Sequence, residues 1–321
     1  MSLPVVPDVQ PLVRQLAYDG KSSRLFVITI VNFILTLLTL GVYHFWAKTK
    51  VRRFICENTR FMDEPFAYLG NGKEIFVSSL IFVLKVILPT ALIFLVVAVV
   101  APSYAPIVGI LQIAFYTGIY IYARLSGLRY RANRLSWRGI RFSLRADRNT
   151  YLKLIIKITV LNFVTLGLYR PHGDAAVANF FGNSLYYGNL RCSYHGDKAD
   201  LRKNYLLYWL LWLPTLSCSM YWYRARLQRH LAKSCTLGVM DFRYNVSGGQ
   251  LLRLAFGNGL IMLLSWGVLG HFVVQRNMRL FARTLKLRGT PDFAQIQKAA
   301  AEQDAAGAAD YFETDGDFGF G

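Results

Sequence analysis

The chain has 321 residues, 54% of them hydrophobic and 15% aromatic, and carries 37 Lys and Arg against 18 Asp and Glu, a net charge of +19. Mean hydropathy is positive, +0.31, which is unusual for a soluble domain, and the basic residues flank hydrophobic runs instead of covering a polar domain, which argues against nucleic acid as a partner. Apolar runs with cationic edges describe a membrane protein whose partners are the lipid bilayer and, at its rims, anionic phospholipids.

The N-terminal segment, residues 1–24, has no basic region followed by an apolar core, so no cleaved signal peptide is expected. Six runs then qualify to cross a bilayer, whose roughly 30 Å core takes about 20 apolar residues. They cover 25–46, 75–100, 104–123, 151–169, 205–223 and 251–275. The expected fold class is therefore mainly α: a polytopic helical membrane protein built from internal repeats within residues 25–289, with short juxtamembrane β-hairpins.

The repeat is carried by one phrase. Leu40-Gly41-Val42-Tyr43 closes the first run and leads through Trp46 into the cations Lys48, Lys50, Arg52 and Arg53. Leu166-Gly167-Leu168-Tyr169 closes the fourth run, with weaker echoes at Gly118-Ile119-Tyr120, Ser219-Met220-Tyr221 and Trp266-Gly267-Val268. Gly41, Gly167 and Gly267 permit a bend, Tyr43, Trp46 and Tyr169 suit the headgroup layer, and Arg52, Arg53, Arg129 and Arg131 are candidate contacts for anionic lipid. After the first basic stretch, Thr59-Arg60-Phe61 and Pro65–Gly70 alternate as a strand does; 137–142 and 241–246 correspond. Strands from several units are thus available to pair into one sheet.

Orientation is well defined for one hairpin only. The turn Ala101-Pro102-Ser103 is uncharged while both far sides are strongly basic, so the positive-inside rule puts that turn outside. The first, fourth and sixth runs are basic at both ends. Plain alternation of six spans gives units of opposite topology, as in transporters with inverted repeats; the competing path is re-entrant and keeps every copy of the phrase on the cytoplasmic side.

Within the runs, Asn32, Asn162 and Asn258 precede the repeat glycines at intervals that place them on one helix face, where amides usually bond between helices. Lys153 and Lys157 lie near a run end and can snorkel, whereas Lys85 sits deep in the second run and is the leading candidate for an intramembrane site that contacts a small-molecule ligand. No phosphate loop, metal-binding histidine pair or nucleophile elbow is present, so no enzyme activity, metal or cofactor is expected. Cys56, Cys192, Cys218 and Cys235 lack short paired spacing and read as small thiols; Asp174, Asp197 and Asp200 read as solvated charges. Residues 290–321 turn Ala-rich and acidic and are expected to be disordered, with the option of folding back on the basic loops.

Residues Asn32 to Gly70, with Thr39-Leu40-Gly41-Val42-Tyr43, Phe45-Trp46-Ala47-Lys48, Arg52-Arg53 and Asn58-Thr59-Arg60, resemble the YjgN family of bacterial inner-membrane proteins, and the order of pieces continues to Gly289. The resemblance implies a multi-pass inner-membrane protein and brings no substrate or catalytic residue with it. The fourth unit departs from the pattern by lacking the glycine. Two functions fit: binding or moving a small solute or lipid in a cavity between units, or organising anionic lipid and partner proteins without transport.

Overall fold

The computed structural model describes residues 13–289; the expected acidic tail lies outside them. An extended segment opens the chain, with β1 (Val13–Gln15) and β2 (Ala17–Tyr18) separated by Leu16. Five helical hairpins follow, the first four each returning to a pair of short strands and the fifth to a single one. The first is α1 (Ser22–Leu38) and α2 (His44–Glu57), returning to β3 (Thr59–Phe61) and β4 (Glu64–Tyr68). In the second, α3 (Gly72–Phe82) continues through a π-helical turn, Val83–Ile87, into α4 (Leu88–Val100), then turns at Pro102–Tyr104 into α5 (Ala105–Asn133), β5 (Leu135–Trp137) and β6 (Ile140–Leu144). The third has α6 (Arg148–Val164), α7 (Arg170–Gly182), β7 (Leu185–Tyr187) and β8 (Leu190–Tyr194). The fourth has α8 (Lys198–Arg202), α9 (Tyr205–Leu210), α10 (Met220–Ser234), β9 (Cys235–Leu237) and β10 (Met240–Tyr244). The fifth has α11 (Gly248–Leu264) and α12 (Gly270–Thr284), ending in β11 (Leu285–Arg288).

All 11 strands belong to one antiparallel sheet whose order runs from β1 to β11 and then down in sequence to β2. Its two edges meet in the opening segment: Val13 pairs with Arg288 on one side and Ala17 with Arg60 on the other, so the sheet is nearly a closed ring. The helices follow the same circuit. Each returning helix packs against the next outgoing one, and α12 packs against α1. Where units meet, the helices come close enough that a Cβ on Gly72 would strike Trp46, and one on Gly248 would strike Trp222. Trp46 thus packs between units, against Phe76 at 5.6 Å, as well as stacking on Tyr43.

The ring interior is filled by aromatic and aliphatic side chains. Phe61, Trp137 and Tyr187 run from strand to strand at 5.2 and 5.9 Å, and the buried Tyr187 hydroxyl donates to the Trp137 carbonyl at 3.1 Å. The strand pairs turn tightly because their two-residue loops use left-handed backbone: Met62-Asp63 and Arg138-Gly139 in both positions, Gly188 and Gly238 in the first.

This architecture corrects the expected polytopic helical class. Among the described residues only Gly72–Val100 and Pro106–Asn133 are long and apolar enough to cross a membrane. The first, fourth and sixth runs were counted through a turn. At Leu40-Gly41, Leu166-Gly167 and Trp266-Gly267 the backbone goes left-handed, with φ of 49° and 94°, 51° and 89°, and 49° and 84°. In each, the glycine N–H donates five residues back, Gly41 to Thr36, Gly167 to Asn162 and Gly267 to Met262, closing the outgoing helix. The residue before the pair then serves the next helix: Thr39 Oγ1 accepts from Tyr43 N at 2.9 Å, Thr165 from Tyr169 N at 3.0 Å and Ser265 Oγ from Leu269 N at 3.2 Å. The fifth run is split in the same way after the six-residue α9.

The fourth unit, a weaker echo without the glycine, keeps the turn two residues earlier than assumed, with Ser217 instead of Ser219 at the glycine's place. Leu216 and Ser217 adopt φ of 47° and 70°, Ser217 N donates to Trp212 O at 2.7 Å, and Thr215 Oγ1 accepts from Ser219 N. The Gly118 echo is no turn at all; it lies inside α5. Because every hairpin leaves one sheet and returns to it, the β-strands cannot be distributed on opposite faces of a membrane as plain alternation requires.

A left-handed serine costs about 1 kcal/mol relative to glycine. Ser217→Gly is expected to raise the thermal midpoint in detergent, and Gly167→Val to lower it by the equivalent of about 2 kcal/mol, both read by a thermal-shift assay.

Candidate functional site

A cleft lies at the seam, where the first and last hairpins become neighbours. It is an open cleft of about 590 Å³ between α2, the end of α5 and the start of α12. Val51, Ile55, Leu135, Val274 and the Tyr68 ring supply apolar wall, and His44, Lys48, Arg52, Arg131 and His271 supply the polar lining, with no carboxylate among the lining residues.

The helical period places the α2 contributors. His44, Lys48, Val51, Arg52 and Ile55 recur at three and four residues and so share a face. Arg52 is held by the Tyr68 hydroxyl, 3.1 Å from Nη1, with its guanidinium 6.0 Å from the ring centroid. Partial burial against the apolar wall, followed by the Arg52 and Arg131 charges, holds the Lys48 ammonium below its ordinary value of 10.5. Burial likewise pushes the Cys56 thiol in the same wall up to about 11, so it stays neutral. Like charges gathered on apolar walls bind an anion by charge and by charge-assisted hydrogen bonds, and the volume matches that of a small-molecule pocket.

Of the four arginines singled out in the sequence, Arg52 and Arg131 meet here. Arg53 is exposed outside the cleft, and Arg129 turns toward β6, with Nε 3.4 Å from the Leu144 carbonyl. Lys85 is elsewhere too, on an exposed face of the π-helical turn of the second hairpin. The three asparagines sit on outgoing helices of separate units. Asn258 Nδ2 donates to Asn277 Oδ1 at 3.0 Å between α11 and α12, whereas buried Asn32 has neither amide atom bonded and Asn162 Oδ1 is unbonded. Tyr169 stacks on His172 at 5.4 Å.

Sequence reasoning missed His44, Lys48, Tyr68 and His271 as a group. The available signal was that His44 and His271 each follow a repeat glycine closely. It names no site by itself, because nothing local says that α2 and α12 are adjacent. One further expectation changes. Asp174 is no solvated charge: it lies on α7, accepts from the buried Tyr223 hydroxyl at 2.7 Å and faces Arg170, and burial raises its carboxyl. The cysteines are the free thiols expected, with Cys192 and Cys235 on the neighbouring strands β8 and β9.

A β ring bearing helical hairpins, with two helices able to span and large apolar side chains exposed along the rest, defines a membrane protein. The chain belongs to DUF898, a family of bacterial proteins of unknown function, whose model matches residues 13–221 and 205–313. Relatives carry the name inner membrane protein YjgN. That of Salmonella typhimurium is 31% identical over 151 residues, 47% of this chain and 36% of the relative. That of Escherichia coli K12 is 27% identical over 150 residues with the same coverage, and that of Escherichia coli O157:H7 is 22% identical over 238 residues, 64% of this chain and 58% of the relative. The chain therefore spans little more than a third of the length of the first two. The expected family and the bacterial inner membrane location both stand. No solved structure matches the chain.

Because folding makes Lys48 give up its proton more readily, its charge costs stability at neutral pH. That cost disappears as pH rises toward 10.5. Lys48→Met is expected to raise the thermal midpoint of the anion-free protein at pH 7, and to flatten the rise in wild-type stability as pH climbs toward 10.5, measured by thermal shift.

Proposed function

We propose that this inner-membrane protein binds an anionic amphiphile, a phosphate- or carboxylate-bearing head joined to an apolar chain, in the seam cleft. The observation that carries the reading is the convergence of Lys48, Arg52 and Arg131, with His44 and His271, on apolar walls that contribute no carboxylate. Arg52, oriented by Tyr68, presents a planar fork to the head, Lys48 adds a mobile point charge, and Val51, Ile55 and Val274 accept the chain. Binding brings a counter-charge to groups that repel one another in the empty cleft, so ligand affinity is supported by relief of that repulsion as well as by direct contact.

A second reading, anchoring to anionic lipid without a bound ligand, is favoured by a separate groove between α11 and α12. Arg253, Arg276, Arg279 and Arg283 line it, and Arg279 is held by the Gly20 carbonyl at 2.9 Å.

Dodecyl phosphate added to protein in uncharged detergent is expected to raise the thermal midpoint, and dodecyl trimethylammonium to leave it unchanged. The Arg52→Gln and Arg131→Gln pair should weaken the phosphate response about tenfold or more, the scale of losing charge-assisted bonds, while Arg53→Gln leaves it intact. An equal response in both variants rejects the cleft; loss of the response only on changing Arg276 and Arg283 favours the groove.

A further inference from the structure

The four turns that end left-handed share a second property: their apolar residues are among the most exposed of the described residues. Leu40, Leu166, Leu216 and Trp266 are 96, 77, 89 and 95% exposed. Leu37 and Leu38, Phe163 and Val164, Leu213, and Leu263 and Leu264 continue each tip. Apolar surface of this extent on a water-facing protein is rare.

We infer that these four hairpins insert their tips into the cytoplasmic leaflet and do not cross, so that the helix pair from Gly72 to Asn133 is the sole crossing among the described residues. Three observations carry this. First, all strands lie in one nearly closed sheet, so every hairpin must return to the side it left. A hairpin can then cross twice or not at all. Second, the helices are too short to cross twice. The 17 residues of α1 extend about 25 Å and the 14 of α2 about 21 Å, against about 30 Å of hydrocarbon. α9 has six residues.

Third, the charges set the depth. From Leu25 to Leu38 no charge occurs, a stretch of about 21 Å, and from Leu254 to Leu264 about 16 Å; the tip of α6 beyond Lys157 is shorter, about 10 Å. The stretches of about 16 and about 10 Å match one leaflet, about 15 Å of hydrocarbon, and the stretch of about 21 Å does so when tilted, well short of the full core. The returning helices meet cations soon after the tip, at Lys48, Arg170, Arg224 and Arg276, which suits the headgroup layer. Backbone polar groups at the turn are no obstacle, because the bonds to Thr36, Asn162, Trp212 and Met262 and the Thr or Ser caps satisfy them internally. The long hairpin is the exception that marks the membrane: its apolar window in Gly72–Val100 is wholly unburied, and its turn at Pro102–Tyr104 is uncharged.

The inference stands apart from any ligand in the cleft. Its test is to place one cysteine at a time, Leu40→Cys, Leu166→Cys, Leu216→Cys, Trp266→Cys and Ser103→Cys, in a variant lacking the four native cysteines that still purifies as a single species. An impermeant maleimide applied to intact cells is expected to label position 103 and none of the tips. A bimane at each tip of protein reconstituted in lipid should be quenched by acyl chains brominated near mid-chain. Labelling of any tip from outside means that hairpin crosses and overturns the inference for it. Unquenched tips that react freely from the cytoplasmic face in inverted vesicles lie in water and overturn it entirely. No labelling at 103 removes the single crossing.

Discussion

Antiparallel pairing of the opening segment with both ends of the sheet is the constraint on which the rest of the molecule depends. Residues 13–18 are short, yet they join β11 to β3 and convert a linear run of hairpins into a circuit. Side chains reinforce the closure. Gln15 Nε2 donates to the Arg283 carbonyl at 2.7 Å, and Gln275, buried in α12, donates to the Gly20 carbonyl at 3.0 Å while accepting from Ser22. A buried amide bonded on both sides is costly to leave unpaired, so the first and last units are held in one register. Closure also removes exposed strand edges, which otherwise invite pairing with other chains.

Much of the local structure was legible. Residues 59–70, 137–142 and 241–246 show strand alternation and do form hairpins, and the outgoing helices begin at polar caps readable in sequence: Asn71, Asp147, Asp197 and Ser247. β7 escaped because Leu185-Tyr186-Tyr187 carries no polar alternation, although β8 beside it, Leu190–Tyr194, does alternate. The seam strands escaped for a deeper reason. Three residues at one end of the chain have no strand tendency of their own that could declare a partner at the other end.

The apolar runs misled through a definite mechanism. Hydropathy integrates over a window and is blind to a left-handed residue inside it, so an outgoing helix, its turn and the first aromatics of the returning helix sum to the length of a span. The phrase at Gly41, Gly167 and Gly267 was read as an anchor that merely permits a bend, when it is the bend itself. Ser217 shows why glycine alone was an insufficient marker: the helix-closing hydrogen bonds and the Thr215 cap outweigh the strain of a serine at φ 70°.

The cleft follows from closure in the same way. Each unit places cations on its returning helix, which read in sequence as a solvated basic rim. Ring closure brings His271 and Val274 of the last unit against His44, Lys48 and Val51 of the first, and the end of α5 adds Arg131. The cleft runs from the tip ends of α2 and α12, marked by His44 and Gly270, to the β ring at Tyr68 and Leu135. It therefore bridges the lipid-facing tips and the strand layer. A gathering of cations there opposes folding unless something anionic shares the space, and proteins keep such unfavourable clusters where function requires them. An amphiphile would satisfy both ends at once, its chain toward the tips and its charge beside Arg52. A small hydrophilic anion would leave Val51, Ile55 and Val274 without a partner. The combination of repelling charges and apolar wall, more than either alone, is what the proposal of an anionic amphiphile rests on.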